Sequence, residues 1–225
     1  MKKLGSRLLA GPYVLWMVLF TIIPLCLILY NAFTNIDGGF TLDNVAAITD
    51  YVNAKPLFLS LGMSLVVTLA CFLLSFPLAL VLSKYSKNKN SIIVMVFILP
   101  MWMNFMLRTL AWRLILLNNG FLNRGLDILG FDPVYLMNTK AAIILGTAYD
   151  YFPFMLLPIY NALVKIDKDV INAAKDLGAT SFIILKRVIL PLSLPGIVSG
   201  ITMVFVPSMS EFVIADMLGG GKVYL

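Results

Sequence analysis

The sequence predicts an all-α integral membrane protein with five transmembrane helices and a cytoplasmic N-terminus. Three observations carry that prediction: an apolar composition, five apolar runs of bilayer-spanning length, and a one-sided distribution of Lys and Arg. The chain has 225 residues, of which 60% are hydrophobic and 12% charged, and its mean hydropathy is +0.95. Soluble domains run near about 45–50% apolar and about 25% charged, so composition alone sets this chain among membrane proteins.

Composition also excludes function classes. The chain has no histidine, which removes Ser-His-Asp triads, HExxH zinc sites and His-ligated haem. Cys26 and Cys71 lie inside apolar runs without CxxC spacing, so they define neither a disulfide nor a redox compartment. A net charge of +6 would suggest nucleic acid in a soluble protein. Here its placement describes topology, and nucleic acid is not an expected partner.

A spanning helix takes about 20 apolar residues. The runs 9–33, 58–83, 91–117, 141–164 and 189–214 meet that length. Lys2, Lys3 and Arg7 precede the first run, as in a signal peptide. That run exceeds the roughly 7–15 residues of an h-region and no A-x-A site follows, so it reads as an uncleaved anchor.

The basic residues orient the spans. Lys2, Lys3 and Arg7 lie before the first span, Lys84, Lys87 and Lys89 after the second, and Lys165, Lys168, Lys175, Lys186 and Arg187 after the fourth. If the spans alternate, all of these fall on one side. Lys55, Arg108, Arg113, Arg124, Lys140 and Lys222 are left for the other side and the spans. The positive-inside rule makes the basic side cytoplasmic.

The opposite loops differ in character. Residues 34–57 carry Asp37, Asp43 and Asp50 with a single lysine, and residues 118–140 carry the turn signals "NNG", "NRG" and "GFDP". No internal repeat is visible, and residues 1–225 read as one membrane domain. Five spans leave the C-terminus outside. There "LGGGKVYL" reads as a glycine-rich turn with the start of an apolar segment, so a further span is expected beyond it.

Residues 165–188, between the fourth and fifth spans, are more than a turn. Asp169 is the expected N-cap of a helix whose Val170, Ala173, Ala174 and Leu177 share one face at i, i+3, i+4 and i+7. Gly178 stops it, either as the C′ residue or as a point of close approach. Thr180 then caps "SFIILKRVI", which is expected to end at Pro191. On pattern alone this segment is either an amphipathic helix on the lipid headgroups or a surface that another protein approaches through Ala173, Ala174 and Gly178.

The spacing Asn172-Ala173-Ala174, three residues, Gly178, nine residues, Val188, one residue, Leu190-Pro191 resembles the E-A-A-x3-G-x9-I-x-L-P signature of ABC importer permeases. Ala173, Ala174, Gly178, Leu190 and Pro191 match it, Val188 is conservative, and Asn172 replaces the glutamate. A glutamate at N3 would reach back to the backbone of the helix start; the shorter Asn holds that start less firmly. The stretches "ILPMWMNFMLRTLAW", "LLNNGFLN" and "LGGGKVYL" resemble those of the B-type permease of spermidine/putrescine importers.

The resemblance implies a bacterial multi-pass inner-membrane permease that moves polyamines into the cytoplasm by alternating access, with the 165–188 loop as the helix that couples it to the ATPase. It implies as partners a pair of cytoplasmic ATP-binding subunits, a second permease subunit and an extracytoplasmic binding protein. Family members usually have six spans, one more than this sequence shows. The chain has no P-loop of its own. In "GGGKV", Asp216 stands at the first glycine position of G-x4-G-K-[ST] and Val223 replaces Ser/Thr. The chain is therefore expected to be a transport subunit rather than an enzyme and to bind no cofactor, ATP-Mg being held by the partner subunits.

Candidate substrate-path residues are the ionisable groups at membrane depth. Asp150 stands near the middle of the fourth span in "TAYDYFPF". A charge there costs at least about 2.5–3.5 kcal/mol on insertion scales, which makes it a functional candidate by default. Its alternative is a carboxylate bonded to a Ser, Thr or Arg of a neighbouring helix. A polyamine needs spaced carboxylates for its ammoniums and aromatic faces for its stem.

Tyr149 and Tyr151 flank Asp150 and point elsewhere on the helix, towards neighbouring walls. Glu211 in "PSMSEF" is the second acid, or else an ordinary interfacial residue. Trp102 lines the path, or else packs against lipid or within the bundle. Arg108 and Arg113 either snorkel to the interface, repel cations, or pair with Asp150 or Glu211. Pro100, Pro153, Pro158 and Pro207 are expected to kink their helices.

Two alternatives stand beside the polyamine importer: an ABC permease for another small solute, and a secondary transporter driven by an ion gradient with Asp150 as its proton or cation site. The latter often shows repeated halves, and it has no use for the coupling-loop motif.

Overall fold

The computed structural model describes residues 11–35, 38–85 and 91–221. Lys2, Lys3, Arg7, Asp37, Lys87, Lys89, Lys222 and Val223 lie outside the described residues, as does the start of the first apolar run. The chain divides into two compact units, Met1–Pro56 and Leu57–Leu225. Apart from an isolated bridge between Thr34 and Phe40, the described residues form helices and turns.

The first unit is built on α1, Gly11–Ala32. It is apolar around its whole circumference and none of it is buried within the chain, the pattern of a helix whose surroundings are themselves apolar. A π-turn interrupts it at Val18–Ile22, where the Ile23 N–H bonds the Val18 carbonyl. Pro24 follows. Proline lacks an N–H and crowds the carbonyl four residues back, and a turn widened by one residue relieves that crowding. Beyond α1, Phe33 stacks on Phe40 with ring centroids 6.1 Å apart. Asn44 ties the loop down by donating to the carbonyls of Asn31 and Thr34. A short helix, α2 (Asp43–Ala46), precedes α3.

The second unit holds most of α3 (Tyr51–Tyr85), then α4 (Ser91–Ile98), α5 (Phe105–Leu116) and α6 (Phe121–Ile128). There follow α7 (Lys140–Val164), α8 (Lys168–Asp176), α9 (Ser181–Met209) and α10 (Phe212–Gly219).

Two expectations are corrected here. The 91–117 run is not one straight helix. At Pro100 the chain tightens into a 3-10 turn, Leu99–Trp102, and Met103 and Asn104 are extended. Asn104 then caps α5 by accepting from the Met106 N–H, and the two helical lines meet at 100°. The fifth run also has different limits. Its helix starts at Ser181 and passes through Pro191, because a π-turn at Leu185–Ile189 lets the Leu190 N–H reach Leu185. It stops at Met209, and Glu211 opens α10 after a break at Ser210. Of the four prolines expected to kink helices, Pro153 and Pro158 lie inside α7, while Pro100 and Pro207 stand just ahead of chain breaks.

Helices α7 and α9 form the tightest contact. A Cβ at Gly196 would lie 2.5 Å from both the Ala162 Cβ and the Pro158 carbonyl oxygen, and one at Gly200 would lie 2.7 Å from the Met155 sulfur. Small residues four apart let two backbones approach where lipid supplies no hydrophobic drive. Helix α3 joins them through Cys71 Sγ and Ser75 Oγ, which donate to the Ala148 and Phe152 carbonyls, each at 3.4 Å.

Buried side chains fall into two clusters. The first gathers Val67, Cys71, Ala79 and Leu82 of α3 with Met155, Leu156, Ile159 and Leu163 of α7 and Ile197 and Val204 of α9. The second gathers Met63, Leu116, Ala142, Ile143, Ile214, Ala215 and Leu218. Ile144 touches both.

Gly196→Val is expected to destabilise the unit by about 1–3 kcal/mol through overpacking, read as a lower melting temperature in detergent. Gly125→Ala, inside α6 where a Cβ meets nothing within 4 Å, is expected to stabilise the unit by about 0.5–1 kcal/mol through helix propensity, read as a higher melting temperature.

Candidate functional site

The polar residues of α7 sit between the two clusters. Ile143, Gly146, Thr147, Asp150 and Pro153 make one buried stripe, as a spacing of three and four along a helix requires. Residues on either side of Asp150 are rotated by about 100° and serve different walls. Tyr149 packs edge-on against Trp112 of α5, centroids 5.3 Å apart. Tyr151 turns the other way and donates its hydroxyl to Glu211 Oε2 at 2.9 Å.

Asp150 faces Arg108, which lies in the first turn of α5. Arg108 Nη1 is 3.1 Å from Asp150 Oδ1, and the two side chains are only 11% and 6% exposed. Arg108 Nε and Asp150 Oδ1 nevertheless lack a hydrogen bond of good geometry. The pair is a single-point contact of charges rather than a bidentate fork. It still removes the main cost of a carboxylate in an apolar interior, since an unpaired buried charge is strongly unfavourable. Of the three roles open to Arg108, the structure selects pairing with Asp150.

Glu211 is half-buried at the Ser210 break and, among the described residues, accepts only the Tyr151 hydroxyl. Among the described residues the two carboxylates therefore differ: Asp150 has an internal counter-ion and Glu211 has none. Asp150, Tyr149, Tyr151 and Glu211 come together here. Trp102 does not, being 77% exposed and part of neither core cluster.

The loop residues form a separate rigid corner. Asp167, rather than Asp169, caps α8, its carboxylate accepting from the Asp169 N–H at 3.1 Å. The cap sits two residues earlier because Asp167 has extended backbone whereas Asp169 lies inside the helix. Gly178 takes a left-handed φ of +78°. The Ala179 N–H bonds Ala174 and the Gly178 N–H bonds Lys175, the double closure of a Schellman motif. Thr180 then caps α9 through the Ile183 N–H.

On α8, Asn172 and Ala173 are exposed and Ala174 is half-buried. Leu177 is 89% exposed, and Val170 and Phe182 are also exposed. Leu190 packs against the first cluster, and Pro191 is exposed within α9. The result is an apolar patch on a firmly held corner.

Sequence reasoning missed Asn123. This buried side chain donates to the Asn118 and Val134 carbonyls and accepts from the Val134 N–H at 2.8 Å, pinning the loop after α6. Its only signal in the sequence was a polar residue inside a turn-rich segment. Beside it an open cleft of about 580 Å³ is lined by Leu117, Asn118, Asn119, Tyr135, Met137 and Asn138. The ionisable groups between the two clusters take no part in that cleft.

Residues 57–224 match the family described as binding-protein-dependent transport system inner membrane component. The spermidine/putrescine transport system permease protein PotB of Escherichia coli (strain K12) is 36% identical over 215 residues, covering 92% of this chain and 78% of that protein. PotB of Haemophilus influenzae is 36% identical over 218 residues, covering 93% and 76%.

Among solved structures, a chain of a bacterial alginate ABC transporter in complex with an alginate pentasaccharide-bound periplasmic protein superposes with a TM-score of 0.76. It is 20% identical and covers 98% of this chain and 77% of that one; at that identity the likeness concerns the fold. The ion-gradient-driven alternative is set aside by these matches. The chain belongs to the family of binding-protein-dependent transport system inner membrane components, as a multi-pass permease subunit of an ABC importer.

Proposed function

We propose that this permease carries polyamines into the cytoplasm by alternating access. In this reading it works with a second permease subunit, a pair of cytoplasmic ATP-binding subunits that hold ATP-Mg, and an extracytoplasmic binding protein; the chain itself holds no cofactor. The observation that carries the reading is the 36% identity, over 92% of the chain, to permeases named for spermidine and putrescine. The chemistry between the two core clusters supports it. Asp150 and Glu211 supply separate carboxylates, and Tyr149, Tyr151 and Trp112 supply aromatic surface, which suits ammonium groups on an aliphatic stem.

The Lys and Arg bias assigns the 165–188 loop to the cytoplasm. There the patch of Val170, Leu177 and Phe182 fits a groove on an ATP-binding subunit, with Asn172, Ala173, Ala174 and Gly178 on the docking helix and Leu190-Pro191 passing the motion into α9. A Cβ on Gly178 meets nothing within 4 Å among the described residues, which leaves this side of the corner open to a partner.

Uptake of labelled spermidine and putrescine by the complete transporter tests the substrate; uptake of some other solute with neither polyamine carried overturns it. Glu211→Gln keeps an acceptor for the Tyr151 hydroxyl and removes the charge. It is expected to lower polyamine uptake at least about tenfold, equivalent to about 1.4 kcal/mol, with assembly unchanged. An unaltered rate places Glu211 off the path. Leu177→Asp is expected to leave the melting temperature of the permease unchanged and to cut ATP-driven uptake about tenfold or more by weakening ATPase association. Normal uptake with the aspartate in place contradicts the docking role.

A further inference from the structure

Two adjacent residues of α7 fasten two breaks in the chain. Asp150 holds Arg108, which lies in the first turn of α5 directly after the extended Met103–Asn104 pair. Tyr151 holds Glu211, the first residue after the Ser210 break and the N-cap of α10.

The packing changes at the same two places. Before the first break, Phe97 and Ile98 pack against the first core cluster; after it, Phe105, Trp112 and Leu116 belong with the second. Before the second break, Ile197 and Val204 belong to the first cluster; after it, Ile214, Ala215 and Leu218 form the second. Helices α3 and α7 run unbroken through both. The chain can therefore bend where the clusters meet, and the polar contacts cross that seam.

The Arg108–Asp150 contact has one close approach and two atoms without a well-formed hydrogen bond. In an apolar interior such a pair persists because, among the described residues, neither charge has another ionic partner. A cationic substrate reaching the same carboxylate would supply one, and would release a guanidinium that can follow α5.

We propose that Arg108 is an internal stand-in for the substrate cation. In the unloaded permease it occupies Asp150. A substrate ammonium takes its place and frees α5 to swing about the Met103–Asn104 bend relative to α7. A second ammonium of the same molecule engages Glu211 and frees α10 from Tyr151. Arg108 is thus a specificity-determining residue: a diamine opens both latches, whereas a single inorganic cation meets only one. The identity of the cation rests on the polyamine reading above, but the latch itself does not.

The test uses the complete transporter in lipid nanodiscs, comparing wild type with Arg108→Met, Arg108→Lys and the double variant Arg108→Met/Asp150→Asn. Without any substrate, amide exchange across residues 105–116 is expected to be at least tenfold faster in Arg108→Met and in the double variant, with α7 unchanged. The double variant buries no unpaired charge, so its assembly and melting temperature are expected to match wild type while putrescine uptake stays at least tenfold lower. Arg108→Lys, which keeps the cation, is expected to retain uptake within threefold.

Recovery of uptake together with assembly in the double variant overturns the proposal and makes the pair a structural bridge. Unchanged exchange in α5 overturns it as well. Altered α5 exchange in a transporter whose wild type carries neither putrescine nor spermidine supports the latch and overturns the polyamine reading instead.

Discussion

The second unit is organised around one constraint: a carboxylate on α7 must be neutralised inside an apolar bundle. Asp150 lies on the face of α7 that packs inward, so it cannot reach a lipid headgroup or water by snorkelling. Its counter-ion has to be delivered by another helix, and Arg108 is delivered by α5. A straight helix over 91–117 would be one rigid rod. Instead the break at Met103–Asn104 gives α5 its own direction, with Asn104 satisfying the new helix end. The ion pair and the break are parts of one arrangement.

The other breaks and widened turns follow from backbone chemistry. In lipid every N–H and C=O needs an internal partner, yet the helices of this chain are rich in proline. Two solutions recur. Ahead of Pro24 and Pro191 the helix widens into a π-turn and continues, as seen at Val18–Ile22 and Leu185–Ile189. At Pro100 and Pro207 the helix ends within a few residues, and a new one starts in another direction or after a short break. The first solution keeps a helix whole, and the second provides a joint. The joints lie where the two core clusters meet.

The class of fold was legible in the sequence because hydropathy and the roughly 20-residue length of a span are strong signals, and because eleven of the seventeen Lys and Arg fall on alternate loops. The loop at 165–188 was legible too: Gly178 and Thr180 act there as read, since each role depends on local backbone chemistry. The cap at Asp167 was missed by two residues, because Asp167 and Asp169 are equally good capping side chains and only the backbone decides between them.

Asp150 and Glu211 were legible as exceptions to an apolar pattern. Their partners were not. Arg108 is 42 positions from Asp150, and nothing local to either residue distinguishes pairing from snorkelling. Pro100 was likewise visible without its consequence, because Pro153 sits inside an unbroken helix. Whether a proline kinks, widens or ends a helix depends on what the neighbouring helices can bond.

In the function proposed above, the energy for transport enters at the exposed corner formed by α8 and the start of α9, where double closure at Gly178 and the Thr180 cap make a short, stiff connection to a helix that packs along α7. The most direct measurement is gentle purification of this chain from its native membrane, with identification of its companions by mass. The account predicts a stable complex containing ATP-binding subunits and a second permease. Recovery of the chain alone, under detergent conditions shown to preserve such complexes, would contradict it.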